Sequence, residues 1–214
     1  MGAPSGSGGG ATSATDSLAG RQYLVTNAAT GAGLQAAREL VHRGAHVVIT
    51  APSAEVAAAA AAQLRGEAQG ANAGLVEGMA LDPYDLDSVR AFVRSFKMPG
   101  RRRALHALVH APVEHEAGMG HDALPFPVGA DRELVANHLS PFLLTQLLLP
   151  MLIHSAPSRI VLCPGAAHAS GDAARLRSLC EQGEVRRTRL TAADVAIVVF
   201  VGQLVGTRRV FVLV

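Results

Sequence analysis

Glycines gathered behind a short apolar run are the first residues in this chain with an evident chemical use. Tyr23-Leu24-Val25-Thr26 leads into Asn27-Ala28-Ala29-Thr30-Gly31-Ala32-Gly33, and residues 34–43 then carry apolar side chains at helical spacing up to Gly44. A strand, a glycine turn and a helix in that order bring backbone N–H groups and the positive end of a helix dipole within reach of a phosphate. Asn tolerates left-handed backbone angles better than other non-glycine residues, so Asn27 is compatible with such a turn. The same residues also fit a plain strand-to-helix connection that binds nothing.

A second group holds His106, His110, His115 and His121 with Glu114 and Glu116. Imidazole and carboxylate can ligate zinc. The spacing matches no HExxH-like pattern, however, so no metal site is expected. His168 is a candidate acid standing alone. Cys163 and Cys180 form no CxxC pair and cannot build a disulfide framework, which makes a reducing, cytoplasmic setting the default. Lys97 is the single lysine, so 18 of the 19 basic residues are arginines. The net charge of +2 is too mild to point to nucleic acid, and Arg101-Arg102-Arg103 reads as a solvated loop.

Alternating elements must position these groups. After the first strand and helix, residues 46–50 form a β-branched strand closed by Pro52, and residues 55–64 an alanine-rich helix. A third strand over 75–81 and a helix over 85–96 follow, the latter with Leu86, Val89, Phe92, Val93 and Phe96 on one face. A fourth strand over 104–111 precedes a loop rich in Gly, Pro and His. Residues 132–153 make the longest helical stretch, broken at Pro150. A fifth strand over 159–163, a helix over 191–205 and a last strand over 209–214 complete the pattern. Repeated strand–helix units predict a Rossmann-like doubly wound parallel sheet, a three-layer αβα sandwich ending after strand six. Residues 1–20 read as a disordered Gly/Ser/Ala-rich tail and 21–214 as one domain. The most apolar segment, residues 195–206, is too short for a membrane span, which needs roughly 20 residues.

Several segments, in order, resemble the short-chain dehydrogenase/reductase family and its retinol-dehydrogenase-like branch. The turn from Thr26 to Gly33 resembles TGxxxGxG, with Asn27 in place of the first glycine. LDPYDLDSVRAF is similar to LDLxxLxSVRAF, and ANHLSPFLLTQLLLPML to VNHLGHFLLTxLLLxxL. The resemblance implies NAD(P) binding through Thr26, Asn27, Thr30, Gly31, Gly33, Asp82 and His110, with Asp82 against the adenine. It also implies dimer contacts through the helices over 132–153 and 191–205, either with a second copy or with an active relative.

The departures from the family pattern fall on its chemistry. His110-Ala111-Pro112-Val113 stands where the family has NNAG, and Pro52-Ser53 supplies neither a cation for a 2′-phosphate nor an acid that favours NAD. The family's Ser, Tyr and Lys fall on Gly165, Leu190 and Asp194, leaving Asn137 as the matching member of the catalytic set. Tyr23 and Tyr84 are the only tyrosines, and no YxxxK occurs. Relatives continue past the sixth strand, so the substrate side is expected to lack its roof and the last strand to form an open edge. Together these features predict a degenerate member without hydride transfer and with weak or absent NAD(P) binding. Two other readings stand beside it: an NAD(P)-dependent oxidoreductase with non-standard groups such as His168, and a non-catalytic interaction module.

Overall fold

The computed structural model describes residues 17–68, 74–99, 104–113, 135–163 and 210–213. Its strands are β1 (Gln22–Val25), β2 (His46–Ala51), β3 (Val76–Ala80), β4 (Ala107–His110), β5 (Ser158–Leu162) and β6 (Val210–Leu213). Between them lie α1 (Gly31–His42), α2 (Ala54–Glu67), α3 (Leu86–Phe96) and α4 (Ser140–His154), the last entered through a π-helical turn, Val135–Leu139. All the strand pairings are parallel, in the order β3-β2-β1-β4-β5-β6. The chain therefore winds outward from β1 to β3, then returns to the other side of β1 to begin β4. This is the doubly wound Rossmann-like arrangement expected from the sequence, with β6 beside β5 at the end of the order among the described strands.

Successive strand residues point to opposite faces, and the two faces are filled differently. Leu24, Val48, Leu108 and Ile160 pack against Val89, Phe92, Val93 and Phe96 of α3 and Leu144, Leu148 and Leu152 of α4. Tyr23, Val25, Val47, Ile49, Ala107 and Val109 meet the smaller Ala37 and Val41 of α1 and Ala60, Ala61 and Leu64 of α2. Helix ends follow local chemistry. The Ser53 side chain accepts from the Val56 N–H at the start of α2, and Asp85 accepts from Asp87 N–H at the start of α3. After α1, Gly44 takes a φ of 86°, its N–H donates to Val41, and the Ala45 N–H donates to Leu40. That pair of bonds is a Schellman stop, which favours glycine at this position.

Two expectations about the long helix need correction. It does not break at Pro150, which sits inside α4. An internal proline costs roughly 3 kcal/mol. However, Leu144, Leu148 and Leu152 lie on one stripe spanning it, each fully buried, and each contributes roughly 1.5–3 kcal/mol. The packing outweighs the proline. Lys97 also donates to the Leu147 carbonyl at 2.6 Å, tying α3 to the turn before Pro150. The second concerns the membrane span, which sequence reasoning weighs on residues 195–206 and not on this helix. Val135–His154 forms 20 helical residues with a window hydropathy of 1.3, long and apolar enough to cross a membrane by those measures alone. About a third of that window is buried, with Leu144, Leu148 and Leu152 packed against the sheet and α3 and Leu143, Leu147, Leu149, Met151 and Ile153 partly covered.

Buried hydroxyls fix α4 at several points. Ser140 donates to the Pro83 carbonyl at 2.6 Å, and Ser158 donates to the Leu152 carbonyl at 2.7 Å. At the end of β4, His110 Nε2 lies 2.9 Å from the Thr145 hydroxyl. Burial pushes the His110 ring down to about 3, so it stays neutral in the fold.

Two predictions follow from this packing. Leu148→Ala removes a fully buried side chain and should lower unfolding free energy by about 2–5 kcal/mol in urea titrations, while the exposed Val56→Ala should change it by less than about 0.5. The second concerns acid. The unfolded His110 ring titrates near its ordinary value of about 6.5, so between that value and about 3 the unfolded state binds a proton that the folded state does not. Stability should therefore fall as pH drops through this window, by up to about 1.4 kcal/mol per pH unit from this group. Burial also lowers His106 and His138, which add in the same direction. In urea unfolding at a series of pH values, His110→Gln should show a shallower acid slope. Equal slopes would show that His110 is not the group responsible.

Candidate functional site

Order reversal in the sheet leaves a crevice outside the carboxyl ends of β1 and β4, where open α/β sheets accept ligands. Thr26 is buried and continues directly from β1; its hydroxyl accepts from the Ala111 N–H at 3.2 Å. Asn27 takes a φ of 50°, the left-handed conformation anticipated for it, and its side chain donates to the Ala111 carbonyl at 2.7 Å. The Asn27 N–H donates to the Thr50 hydroxyl at 3.3 Å, and the Ala28 N–H to the Thr50 carbonyl at 2.9 Å. The turn is therefore tied on one side to the end of β4 and on the other to β2.

Gly31 has a φ of 57° and starts α1. At Gly33 a Cβ would stand 2.5 Å from the Asn27 carbonyl oxygen and 3.0 Å from the Ala111 Cβ, so a side chain cannot fit there. The helix start is electrostatically positive. Thr30, the residue before it, makes no side-chain capping bond, and the first turn carries no acid. In α2 and α3 the corresponding position is occupied by a capping side chain, and the first turns carry Glu55 and Asp87. The exposed Thr30 hydroxyl and the first-turn N–H groups of α1 thus present donors to an anion. A dinucleotide's pyrophosphate fits this donor set, with the glycines allowing close approach.

The other expected site residues have defined places or lie outside the described residues. Asp82 follows β3, accepts from Tyr84 N–H at 2.9 Å, and its own N–H donates to Ser88 at 3.0 Å, which fixes the carboxylate in a tight turn. The His110 ring is buried against Thr145, where it bridges sheet and helix. Asn137 sits in the π-helical turn. Its Oδ1 accepts from the Val113 N–H at 2.8 Å, while its Nδ2 donates to the Val113 carbonyl at 3.4 Å. The amide is occupied in holding the segment after β4 against the start of the long helix. Pro52 is exposed, and the Ser53 side chain is committed to capping α2.

Gly165, Leu190, Asp194, His168 and the helix over 191–205 fall outside the described residues, as do His115 and His121. Among the described residues no group of three or more metal-ligating side chains occurs. Tyr23 is buried in the sheet face under α1 and α2, and Tyr84 lies in the loop after β3. Cys163 is a half-buried free thiol whose pKa is raised by burial, as expected of a packing residue and not of a nucleophile. Sequence reasoning missed Thr50, and it placed Ala111 in the strand-four motif without its part in holding the turn. Thr50 ends a strand like many threonines, and Ala111 acts largely through its backbone, so neither carried a signal.

The sequence pattern of the short chain dehydrogenase family matches residues 21–168. Dehydrogenase/reductase SDR family member 13 of Bos taurus is 44% identical over 155 residues, covering 72% of this chain and 38% of that protein. Retinol dehydrogenase 12 of Bos taurus is 34% identical over 157 residues, covering 72% of this chain and 46% of that protein. The chain thus spans less than half the length of these relatives. Among solved structures, the Pseudomonas aeruginosa RhlG/NADP active-site complex superposes with a TM-score of 0.57 at 28% identity, covering 71% of this chain and 57% of that one. The family match spans the strand-to-helix turn, strands β1 to β5 and the long helix alike, and the chain belongs to the short-chain dehydrogenase family.

Proposed function

We propose that this chain holds a nicotinamide dinucleotide, weakly, at the β1–α1 turn and does not carry out hydride transfer by the family's Ser–Tyr–Lys route. The observation that carries the binding half is the start of α1: an uncapped, acid-free helix end whose first turn holds Gly33, a glycine that admits no side chain. Membership of an oxidoreductase family and similarity to a protein solved with NADP support the same reading. Thr26, Asn27, Thr30, Gly31 and Gly33 would hold the pyrophosphate, with Asp82 at the adenine side. The cofactor, when bound, supplies a hydride donor or acceptor.

The catalytic half rests on the residues present in this sequence. Hydride transfer to a carbonyl leaves an oxyanion that needs a proton, and the family supplies it from a tyrosine beside a lysine. Here the two tyrosines lie in the core of the sheet and in the loop after β3. Lys97 caps α3 and bonds to α4. Asn137 spends its amide on Val113. Loss of a positioned acid–base group lowers rate by about 10²–10⁴-fold.

Purified chain should quench or enhance NADPH fluorescence saturably, yet oxidise no NADPH above background with aliphatic or retinoid aldehydes. Substrate-dependent turnover would overturn the catalytic half, and a flat titration up to millimolar NADPH would overturn the binding half.

A further inference from the structure

The two places where this chain leaves the family's glycine and NNAG motifs touch each other. Asn27 stands at the first glycine of the turn, Ala111 stands within the strand-four motif, and the Asn27 side-chain amide donates to the Ala111 carbonyl at 2.7 Å across 84 residues of sequence. A substitution that merely damaged the turn would leave a strained residue with nothing to hold it. Here an L side chain at a φ of 50° is offset by a short bond to a backbone carbonyl at the strand end, and by the 3.3 Å bond from its N–H to Thr50.

Resting on the dinucleotide reading above, we propose that Asn27 is a positioning residue. By clasping the Ala111 carbonyl, its amide holds the β1–α1 turn in the shape that receives a pyrophosphate, so restoring the family's glycine weakens binding in this chain. The geometry makes the coupling direct. The Asn27 carbonyl lies under Gly33, at 2.5 Å from where a Cβ would stand, and the Ala111 Cβ lies on the other side at 3.0 Å. Rotation of the peptide after residue 27 would therefore push against the first turn of α1, whose N–H groups face the phosphate. Glycine would free that peptide in both the bound and the unbound protein. The Thr26 hydroxyl, accepting from the Ala111 N–H, fixes the other polar atom of the same residue, so both backbone groups of Ala111 serve the turn.

Two ligands separate positioning from stability. ADP carries the pyrophosphate, and adenosine carries the same base and ribose without it. At a temperature well below melting, Asn27→Gly should weaken ADP and NADPH binding about tenfold while adenosine binding changes less than about twofold. Asn27→Asp keeps the size but cannot donate when ionised, and it should weaken ADP at least as much. If Asn27→Gly binds ADP as tightly as wild type or more tightly, Asn27 is not a positioning residue. Equal weakening of ADP and adenosine would mean a general loss of structure and would overturn the proposal too. If wild type binds neither ADP nor NADPH, the dinucleotide reading itself falls and the role of Asn27 falls with it.

Discussion

Strand β1 is bonded along both edges, to β2 on one side and β4 on the other, and that double pairing governs everything at the carboxyl end of the sheet. Its backbone groups are buried, so they must find partners within the sheet or lose the energy of solvation. A chain leaving such a strand cannot drift sideways. It has to rise between its neighbours and turn into α1 within a few residues, using the Thr50 end of β2 and the Ala111 end of β4 as walls. Thr26 and Ala28 each bond to one of those walls, and Asn27 bonds to both. The glycines after them follow from the same confinement, since a Cβ at Gly33 would enter the space of the turn itself.

The two helical layers also pack on the sheet with side chains of different size. On the α3/α4 side, phenylalanines and leucines fill the space against the sheet. On the α1/α2 side, buried alanines bring the helices close. At Gly78 of β3 a Cβ would stand 2.2 Å from the Ala57 carbonyl of α2, so that strand and helix touch backbone to backbone. This explains how a chain with only 4% aromatic residues closes a core: half of it is built from small side chains at short range. The alanines at positions 57–62 therefore do more than favour helix. Ala57, Ala60 and Ala61 are the buried ones.

Much of this was legible in the sequence because it is local. Strand and helix alternation gave the doubly wound sheet, Gly44 marked the end of α1, and Asn27 was recognised as a residue able to take a left-handed angle. The failures are non-local. Nothing near Asn27 announces Ala111, nothing near Asn137 announces Val113, and the leucine stripe that carries α4 past Pro150 gains its energy from β4, β5 and α3. The site divides in the same way. Glycine spacing could be read directly, whereas the commitment of the Asn137 amide and the His110 ring to structural bonds emerged from the folded chain. An asparagine matching a catalytic motif carries no mark of whether its amide is available.

In the proposed function the turn after β1 acts as a phosphate cradle in a chain that does not use the family's Ser–Tyr–Lys route. Amide resonances of ¹⁵N-labelled protein, followed as NADP⁺ is added, test this most directly. Saturable shifts are expected at residues 27–34, at the uncapped start of α1, and near Asp82 in the loop after β3. Shifts absent from 27–34, or shifts centred on another surface, would contradict that reading.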